Sequence, residues 1–271
     1  MLMKAKTRGR DGAVVTGSPI VSCVIPSFEN LAMFSRSVLS ALTQEGVDLE
    51  VVVTDDSRSQ DIADFVQMLQ SHFGNLRYVQ GPRSGRPIEN WNAGMDAARG
   101  KFIHLMHQDE FMVDRRFLCR ACALLLQGND VVMARSHVIG LERPSMFGIV
   151  SSVSDRLSLP VWTLYAMNWI GSTASVVFRN APERRFDTNL TWLVDVDFYV
   201  RLLTSAGRTA RLPHVVIGSI GHHPSQISAG LERQQLHLQE LSYVSAQGRL
   251  TPRRAAIISA ALRVKYTMRR S

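Results

Sequence analysis

Two acidic residues follow directly on a short apolar run, and this pattern is the clearest indication of chemistry in the chain. Residues 102–106 (FIHLM) predict a buried strand, and Asp109 and Glu110 come just after it. In open α/β sheets, ligands bind outside the carboxyl ends of the strands, so carboxylates placed there would face a bound substrate. The alternative is an acidic turn that caps a helix beginning near Asp114. The neighbouring segments favour the first interpretation.

The chain before this run alternates strand and helix patterns. Apolar runs predict strands at residues 20–25, 49–54 and 76–79, and helical spacing predicts helices at 33–42, 62–73 and 89–99. Such alternation predicts an α/β fold in which a doubly wound, mostly parallel sheet is flanked by helices. The carboxyl ends of these strands would then meet at one edge of the sheet.

The residue types at these strand ends suit a nucleoside diphosphate. Phe28 offers a flat apolar face for a base, Asp56 an acceptor for a base N–H, and Arg86 a positive charge for the phosphates. No G-x-G-x-x-G follows the first strand and no G-x-x-x-x-G-K-[ST] occurs, which excludes a dinucleotide Rossmann site and a P-loop. We therefore expect a metal ion to hold the phosphates.

The net charge of +8 is concentrated at the two ends of the chain. Residues 1–11 and 249–271 together hold 11 of the 31 basic and 1 of the 23 acidic residues, so residues 12–248 carry about −2. A nucleic-acid groove needs positive charge on the folded body, and we expect no nucleic-acid partner. Basic ends fit attraction to an anionic membrane surface, and solvated tails without a partner are the alternative.

Composition predicts a globular chain in a reducing compartment. Of the 271 residues 45% are hydrophobic, but no apolar run approaches the roughly 18 residues that span a bilayer. Residues 1–19 lack the apolar segment of a signal peptide and are expected to form a basic flexible tail. We expect a cytoplasmic location, with peripheral attachment at the inner face of the membrane as a further option. The three cysteines are expected to be free thiols, and the C-x-x-C of Cys119 and Cys122 fits small buried helix residues better than a metal site.

The second half of the chain has the elements of an acceptor side. We predict a helix at 116–126, strands at 130–139, 175–178 and 211–220, and a helix from Asp195 onward. The polar stretch 142–160 is long for a compact domain and is a candidate lid, with an irregular connection as the alternative. Helices are predicted from residue 231 and over 252–268.

Four segments, in order, resemble the motifs of the inverting nucleotide-sugar glycosyltransferases with the GT-A fold, often called family 2. They are VSCVIPSFEN, VVVTDDSRSQD, ENWNAGMDAARGKFIHLMHQDEFM and WLVDVDFYVRLL, within residues 20–225. The resemblance implies transfer of a sugar from a nucleoside diphosphate sugar to a hydroxyl-bearing glycan or lipid-linked acceptor, with Mg²⁺ or Mn²⁺ as cofactor. We expect a nucleotide-sugar-binding half at 20–112, an acceptor-binding half of the same domain at 113–225, and a C-terminal helical extension with a basic tail at 226–271.

The resemblance also implies a donor site. Phe28 would stack on the base, Asp56 would accept from it, and Asp109 would bind the metal as the second acid of the family's Asp-x-Asp motif. The residues assigned to the donor are Pro26, Phe28, Glu29, Asp56, Arg86, Asn92, His107 and Asp109. Trp91 and Asn92 are interpreted as positioning elements.

His107 stands where the family usually has the first aspartate of that motif. A neutral imidazole there could bond a ribose hydroxyl or orient a metal-bound water. The alternative is a histidine satisfied by the backbone at a strand end. His104, inside the strand, is expected to be structural.

The catalytic base implied by the resemblance is Asp195. Inversion requires a carboxylate on the sugar face opposite the leaving nucleotide, where it takes the proton of the attacking hydroxyl. The alternative is a helix-capping aspartate, and Asp197 is expected to be secondary. The turn Gly171, Ser172 and Thr173 resembles the acceptor-side turn of the family.

A histidine near the end of the catalytic domain completes the implied metal site. His223 is preferred over His222 as the residue that closes over the metal and the pyrophosphate. A non-catalytic nucleotide-sugar-binding protein on the same scaffold is the competing hypothesis, based on His107, but retention of Asp109 and Asp195 argues against it. A sugar nucleotidyltransferase would need a glycine-rich basic loop after the first strand, and PSFENLAMF is not one. The sugar, the base and the acceptor do not follow from the sequence.

Overall fold

The computed structural model describes residues 18–139, 159–221 and 232–267, and these contain eight β-strands and seven α-helices. The first half alternates strand and helix as predicted. Its elements are β1 (Val21–Ser27), α1 (Leu31–Leu42), β2 (Leu49–Asp55), α2 (Asp61–Gln70), β3 (Leu76–Gln80), α3 (Pro87–Ala97) and β4 (Phe102–Leu105).

The second half is more irregular and ends in two helices. Its elements are β5 (Glu110–Met112), α4 (Phe117–Leu126), β6 (Val131–Ile139), β7 (Val176–Arg179), α5 (Val194–Ser205), β8 (Thr209–Ile220), α6 (Arg233–Ala246) and α7 (Pro252–Thr267). Short 3₁₀ helices occur at Val161–Tyr165 and Thr173–Ser175. The predicted lid lies almost entirely outside the described residues, as do His222 and His223.

All eight described strands form one sheet in the order β3-β2-β1-β4-β7-β6-β8-β5. The first four are parallel, β7 is antiparallel to both its neighbours, β6 is parallel to β8, and β5 is antiparallel to β8. This confirms the predicted fold, a GT-A-like, mostly parallel sheet flanked by helices with a C-terminal helical extension. The sheet contains strands from both the predicted nucleotide-sugar-binding half and the predicted acceptor-binding half.

The central strands β1 and β2 formed as predicted because both their faces are covered. Every residue in each is buried, and strands buried on both faces read as continuous apolar runs. Alternate side chains enter different cores: Val51 and Val53 pack in the core that includes α1, α2 and α4, whereas Val52 packs with α3 and α5. The ends of β1 and β2 are therefore supported by packing on both faces of the sheet.

The sequence did not predict β5, which is too short to show periodicity. Glu110 of β5 lies opposite Ser219 of β8, so the acidic pair belongs to the sheet edge. The turn before α4 uses another acid, since Asp114 Oδ1 accepts the Arg116 N–H at 2.8 Å. Asp109 and Glu110 are therefore not the acids of that helix start.

Two other features concern the whole described chain. Within residues 18–139, 159–221 and 232–267, the helices are all too short or too polar to cross a bilayer. Cys23, Cys119 and Cys122 are free thiols, as predicted.

Candidate functional site

The loop after β1 presents an exposed aromatic ring at the sheet edge. Phe28 is 51% exposed, and its backbone N–H donates to Gln108 Oε1 at 2.8 Å. Gln108 Nε2 donates back to the Phe28 carbonyl at 3.0 Å, which ties this loop to the loop after β4. Pro26 lies within β1, and Glu29 adopts a positive φ of 51° and accepts the Arg58 N–H. The backbone of Phe28 is thus held in place while its side chain stays accessible.

Asp56, at the end of β2, lies beside this loop. It is 8% exposed; its N–H donates to the Ser27 carbonyl at 3.1 Å, and its Oδ1 accepts the Arg83 N–H at 2.6 Å. A Cβ added at Gly81 would lie 2.6 Å from Asp56 Oδ1, so a larger residue there would collide with the carboxylate. Glycine at position 81 leaves this space to the carboxylate.

The helix α3 links the donor side to the segment that precedes α5. Arg86 donates to Glu89 Oε1 at 2.7 Å and to the Thr188 carbonyl at 2.6 Å. Asn92 bonds the backbone of Phe186 through both ends of its amide, each at 2.9 Å. In this structure Asn92 is therefore a positioning residue, and its predicted contact with the donor stays a prediction.

His107 is packed against an aromatic ring. It stacks on Trp91 with ring centroids 4.3 Å apart, and its Nδ1 lies 3.4 Å from Thr173 Oγ1. Burial lowers the pKa of His107, and the charge of Asp109 offsets only part of this. Nε2 is buried and has no hydrogen-bond partner among the described residues. The ring therefore keeps a nitrogen that no described residue uses.

Glu110 connects the acidic motif to the acceptor-side turn. Its Oε2 accepts the His107 N–H at 2.8 Å and the Thr173 hydroxyl at 3.1 Å. Burial, and then the charge of Asp109, raise the pKa of Glu110 to about 8. Ser172 also bonds this carboxyl group, so the predicted turn and the predicted metal-binding loop meet here.

The acceptor-side turn depends on glycine. Gly171 has a φ of 112°, which residues with a Cβ rarely adopt. Asn168 Oδ1 accepts the Gly171 N–H at 3.0 Å, and the hydroxyl of Tyr199 on α5 donates to the Gly171 carbonyl at 3.1 Å. The turn is thereby bonded to the helix that carries Asp195.

A cavity of about 330 Å³ opens beside the two residues before this turn. Trp169 and Ile170 line it together with Met133, Arg135 and Arg211. Arg211 lies over the Trp169 ring, 5.5 Å from its centroid. The acceptor side thus contains a recess with an aromatic wall and two guanidinium groups.

Asp195 lies in the first turn of α5 with an unsatisfied carboxylate oxygen. The residue as a whole is half-buried, but Oδ1 is enclosed and has no hydrogen-bond partner among the described residues. Burial, and then the charge of Asp109, raise the pKa of Asp195 to about 7. A buried acceptor without a donor costs free energy, which indicates a functional group rather than a stabilising one.

The neighbouring acid on the same helix has a different role. Asp197 is fully buried and accepts hydrogen bonds from the Tyr165 hydroxyl at 2.9 Å, Arg201 Nε at 2.8 Å and Arg249 Nη1 at 3.1 Å. These three donors compensate the negative charge of Asp197, so its role is structural. Asp195, two residues earlier, and Asp197 therefore have different environments on the same helix.

Asp109 is the predicted metal ligand, and it lies half-buried in the loop after β4. Its charge raises the pKa of both Glu110 and Asp195, so the three carboxyl groups lie within electrostatic reach of one another. In the described part of the chain, no group of three or more His, Cys, Asp or Glu side chains is arranged to hold a metal ion. The residues still fit Mg²⁺ or Mn²⁺, because such ions often take one or two carboxylates and complete their shell with substrate phosphates and water. The predicted ligand His223 lies outside the described residues.

Sequence reasoning missed three residues that organise this site. Asn90 Nδ2 donates to the carbonyls of Ser27 and Thr54, at 3.3 and 3.1 Å, and so joins the ends of β1 and β2. Tyr199 holds the acceptor-side turn, and Glu240 on α6 binds the backbone before α5. The apolar spacing of α5 could have indicated a buried Tyr199, but no local pattern singles out Glu240.

Comparison with known proteins shows the family and the fold of the chain. Residues 22–177 match the sequence profile of the family described as Glycosyl transferase family 2. A similar curated protein is the GalNAc(5)-diNAcBac-PP-undecaprenol beta-1,3-glucosyltransferase of Campylobacter jejuni, 33% identical over 45% of this chain and 38% of its own length. The chain spans 64% and 38% of the length of two curated relatives that it matches.

Solved structures share the fold at low sequence identity. S. aureus TarS 1-349 in complex with UDP-GlcNAc has a TM-score of 0.68 at 19% identity, covering 89% of this chain and 71% of that one. The mannosyltransferase PcManGT from Pyrobaculum calidifontis, in complex with GDP-Man and Mn²⁺, has a TM-score of 0.64 at 16% identity, covering 91% and 70%. These likenesses establish the fold and leave the ligand of this chain open.

Proposed function

Because the chain belongs to glycosyl transferase family 2, we propose that it transfers a sugar from a nucleoside diphosphate sugar to a hydroxyl acceptor with inversion at the anomeric carbon. The observation that carries the proposal is the carboxylate of Asp195, whose Oδ1 is buried without a donor and whose pKa is raised to about 7. A base with a pKa near neutral pH is suited to take a proton from an attacking hydroxyl. The sugar would be a hexose or a deoxyhexose.

The donor would bind along the ends of β1, β2 and β4. The exposed ring of Phe28 supports stacking on the base, and the fixed carboxylate of Asp56 supports acceptance of a base N–H. Related folds hold UDP-GlcNAc and GDP-Man, so the scaffold accommodates this class of ligand. His107 would face the ribose with its unused Nε2, and Pro26 and Glu29 would shape the loop around the base.

The diphosphate would lie between Asp109 and the guanidinium of Arg86. A divalent cation, Mg²⁺ or Mn²⁺, held by Asp109 and by His223 would neutralise the charge that develops on the leaving diphosphate. The structure of PcManGT with Mn²⁺ shows that a neighbour in this fold takes such an ion. Arg86 already spans from the donor side to the Thr188 carbonyl, so its position depends on the segment before α5.

In the transfer step the acceptor oxygen attacks the anomeric carbon. Asp195 takes the hydroxyl proton as the new carbon–oxygen bond forms, and the bond from that carbon to the phosphate oxygen breaks on the opposite face. The nucleoside diphosphate then leaves with both electrons of the broken bond. The turn of Gly171, Ser172 and Thr173 would position the acceptor, with the recess beside Trp169 taking the remainder of it.

We place the reaction in the assembly of a cell-surface polysaccharide or glycolipid, on the cytoplasmic side of the membrane. The Campylobacter relative is named for an undecaprenol-linked acceptor, which supports a lipid-linked glycan as the acceptor class. Arg253, Arg254 and Arg263 are exposed on α7 and supply positive charge for an anionic membrane surface.

A non-catalytic nucleotide-sugar-binding protein is the second candidate. The observation in its favour is His107, which replaces the first acid of the usual motif and is packed on Trp91. A panel of nucleoside diphosphate sugars, scored by release of the nucleoside diphosphate with and without Mg²⁺ or Mn²⁺, tests the enzyme. Metal-dependent release by the wild type would support transfer, and nucleotide binding without any release would support the binding protein.

A further inference from the structure

The carboxylate of Glu240 is bonded to three consecutive backbone N–H groups. Oε1 accepts the N–H of Thr191 at 2.7 Å, Oε2 accepts that of Leu193 at 2.7 Å, and both oxygens lie 3.1 Å from the Trp192 nitrogen. Glu240 is 6% exposed and belongs to α6, nearly fifty residues later in the chain. Hydrogen bonds from N–H groups to an ionised carboxylate are among the stronger ones in proteins.

These three N–H groups lie immediately before the catalytic helix. Helix α5 begins at Val194, so Asp195 is its second residue. The N–H groups at a helix start lack partners within the helix, and the residue at the cap position, Leu193, has no side-chain oxygen to accept them. Glu240 provides a negative charge at this end of α5 from a different helix.

Two further residues of the C-terminal extension bind the same segment. The Tyr243 hydroxyl donates to Asp187 Oδ2 at 3.0 Å and accepts from Asn189 Nδ2 at 3.2 Å. Arg249 Nη1 donates to Asp187 Oδ2 at 2.7 Å and to Asp197 Oδ2 at 3.1 Å. Residues 187–193 and the first turn of α5 are therefore held from one side by α6 and by Arg249, which lies shortly after it in the chain.

We propose that Glu240 is a positioning residue for sugar transfer, which fixes the start of α5 and thereby the direction of the Asp195 carboxylate. This inference rests on the proposed function, in which Asp195 is the base. The hydrogen bonds of Glu240 reach the backbone of residues 191–193, next to Asp195, whereas Arg86 bonds Thr188, further back in the same segment. Glu240 therefore acts mainly on the transfer step and much less on donor binding. Displacement of a reacting group by about 1 Å can lower a rate by roughly 10²-fold.

The variant Glu240→Gln tests this with little change of shape. The amide keeps one acceptor oxygen and turns an NH₂ group toward the backbone N–H groups, so at least one of them loses its bond. We expect kcat to fall by roughly 10- to 100-fold while the Kd for the nucleoside diphosphate changes by less than about twofold. Amide hydrogen exchange in a peptide covering residues 191–193 should become faster.

The matched control is Glu232→Gln, which makes the same chemical change at an exposed residue one position before α6. It should leave kcat, Kd and exchange unchanged. If the role of Glu240 is only structural, Glu240→Gln should have a lower melting temperature. Its kcat, measured well below that temperature, should then equal the wild-type value.

The variant Tyr243→Phe keeps the test valid if Glu240→Gln does not fold, because it removes one half-exposed hydroxyl only. It should lower kcat by several fold, with a smaller change in nucleotide affinity, because Asp187 and Asn189 flank the Thr188 carbonyl that Arg86 binds. Wild-type kcat in the folded variants would overturn the proposal. A wild type that binds nucleotide but never transfers sugar would overturn the proposed function, and the positioning role with it. Faster amide hydrogen exchange in Glu240→Gln would then still show that the contact of Glu240 with residues 191–193 exists.

Discussion

The imidazole of His107 stacks on the indole of Trp91 with ring centroids 4.3 Å apart and an interplanar angle of 37°. This contact gives the residue that replaces the first acid of the usual motif a well-packed position. An aspartate at position 107 would place a charge against the indole and beside Asp109 and Glu110. The aromatic pair fills that space with a neutral ring and leaves Asp109 as the acid that we propose to face the diphosphate.

The substitution His107→Asp should therefore make stability depend on metal. A further carboxylate beside Asp109 increases repulsion in a half-buried cluster, so the melting temperature without metal should fall by several degrees. Mn²⁺ should restore more of this loss in the variant than it adds to the wild type. Thermal unfolding with Mn²⁺ and with a chelator measures the difference. Equal metal effects in both proteins would mean that residue 107 does not face the ion.

Nucleotide binding should depend on metal through Asp109. In Asp109→Asn the amide has the size of the carboxylate but no negative charge to bind the ion. Mg²⁺ or Mn²⁺ should therefore no longer increase the affinity of the protein for a nucleoside diphosphate. Calorimetric titration with and without metal tests this. Asp114→Asn is the control, because Asp114 bonds Arg116 at the start of α4 and should not alter the titration. An unchanged metal effect in Asp109→Asn would remove Asp109 from the site.

The rate of transfer should rise with pH around neutrality. The pKa of Asp195 is raised above its usual range, to about 7, so the carboxyl group is protonated and inactive as a base at low pH. Single-turnover rates at saturating donor should increase through about pH 7 and level off above it, since only the ionised form accepts a proton. A rate that is flat from pH 5 to 8.5 would contradict this assignment of the base.

Much of the fold was predictable from local pattern, whereas part of the site was not. β1 and β2 were predicted because strands buried on both faces need continuous apolar runs, and Phe28 and Asp56 follow them directly. β5 was missed because three residues show no period, and it is what places Glu110 in the sheet.

Long-range contacts account for the rest of what the sequence did not show. Glu240 is one of several polar residues in α6, and only the tertiary structure shows that its carboxylate binds residues 191–193. The same holds for Tyr199, whose bond to Gly171 joins a helix to a turn 28 residues earlier. No short-range pattern carries such pairings.

Attachment to anionic membranes should depend on the exposed arginines of α7, which are spread around the helix axis and not confined to one face. Replacement of Arg253, Arg254 and Arg263 by glutamine should reduce sedimentation with phosphatidylglycerol vesicles by at least about tenfold at low salt, since each charge near such a surface contributes roughly 1 kcal/mol. Deletion of residues 249–271 is less informative, because Arg249 bonds Asp187 and Asp197 and its loss would disturb the site.

The control for this experiment removes the same charge elsewhere. Glutamine in place of Arg99, Arg116 and Arg208, all exposed and none of them on α7, should leave vesicle binding near the wild-type level. If both triple variants lose binding equally, net charge and not α7 governs attachment.

The central claim is that Asp195 is the base of the transfer, and the variant Asp195→Asn separates chemistry from binding at that residue. Asparagine keeps the size but cannot take the acceptor proton, so single-turnover transfer should fall by roughly 10²- to 10⁴-fold while donor affinity stays nearly unchanged. At pH 8 the variant should be as stable to thermal unfolding as the wild type, or more stable. The raised pKa of Asp195 means that its ionised form is unfavourable in the folded protein, and the variant removes that carboxylate. The decisive measurement is single-turnover transfer by wild type and variant with the same donor. A large loss of rate at unchanged donor affinity is the predicted result, and a variant as active as the wild type would contradict the account.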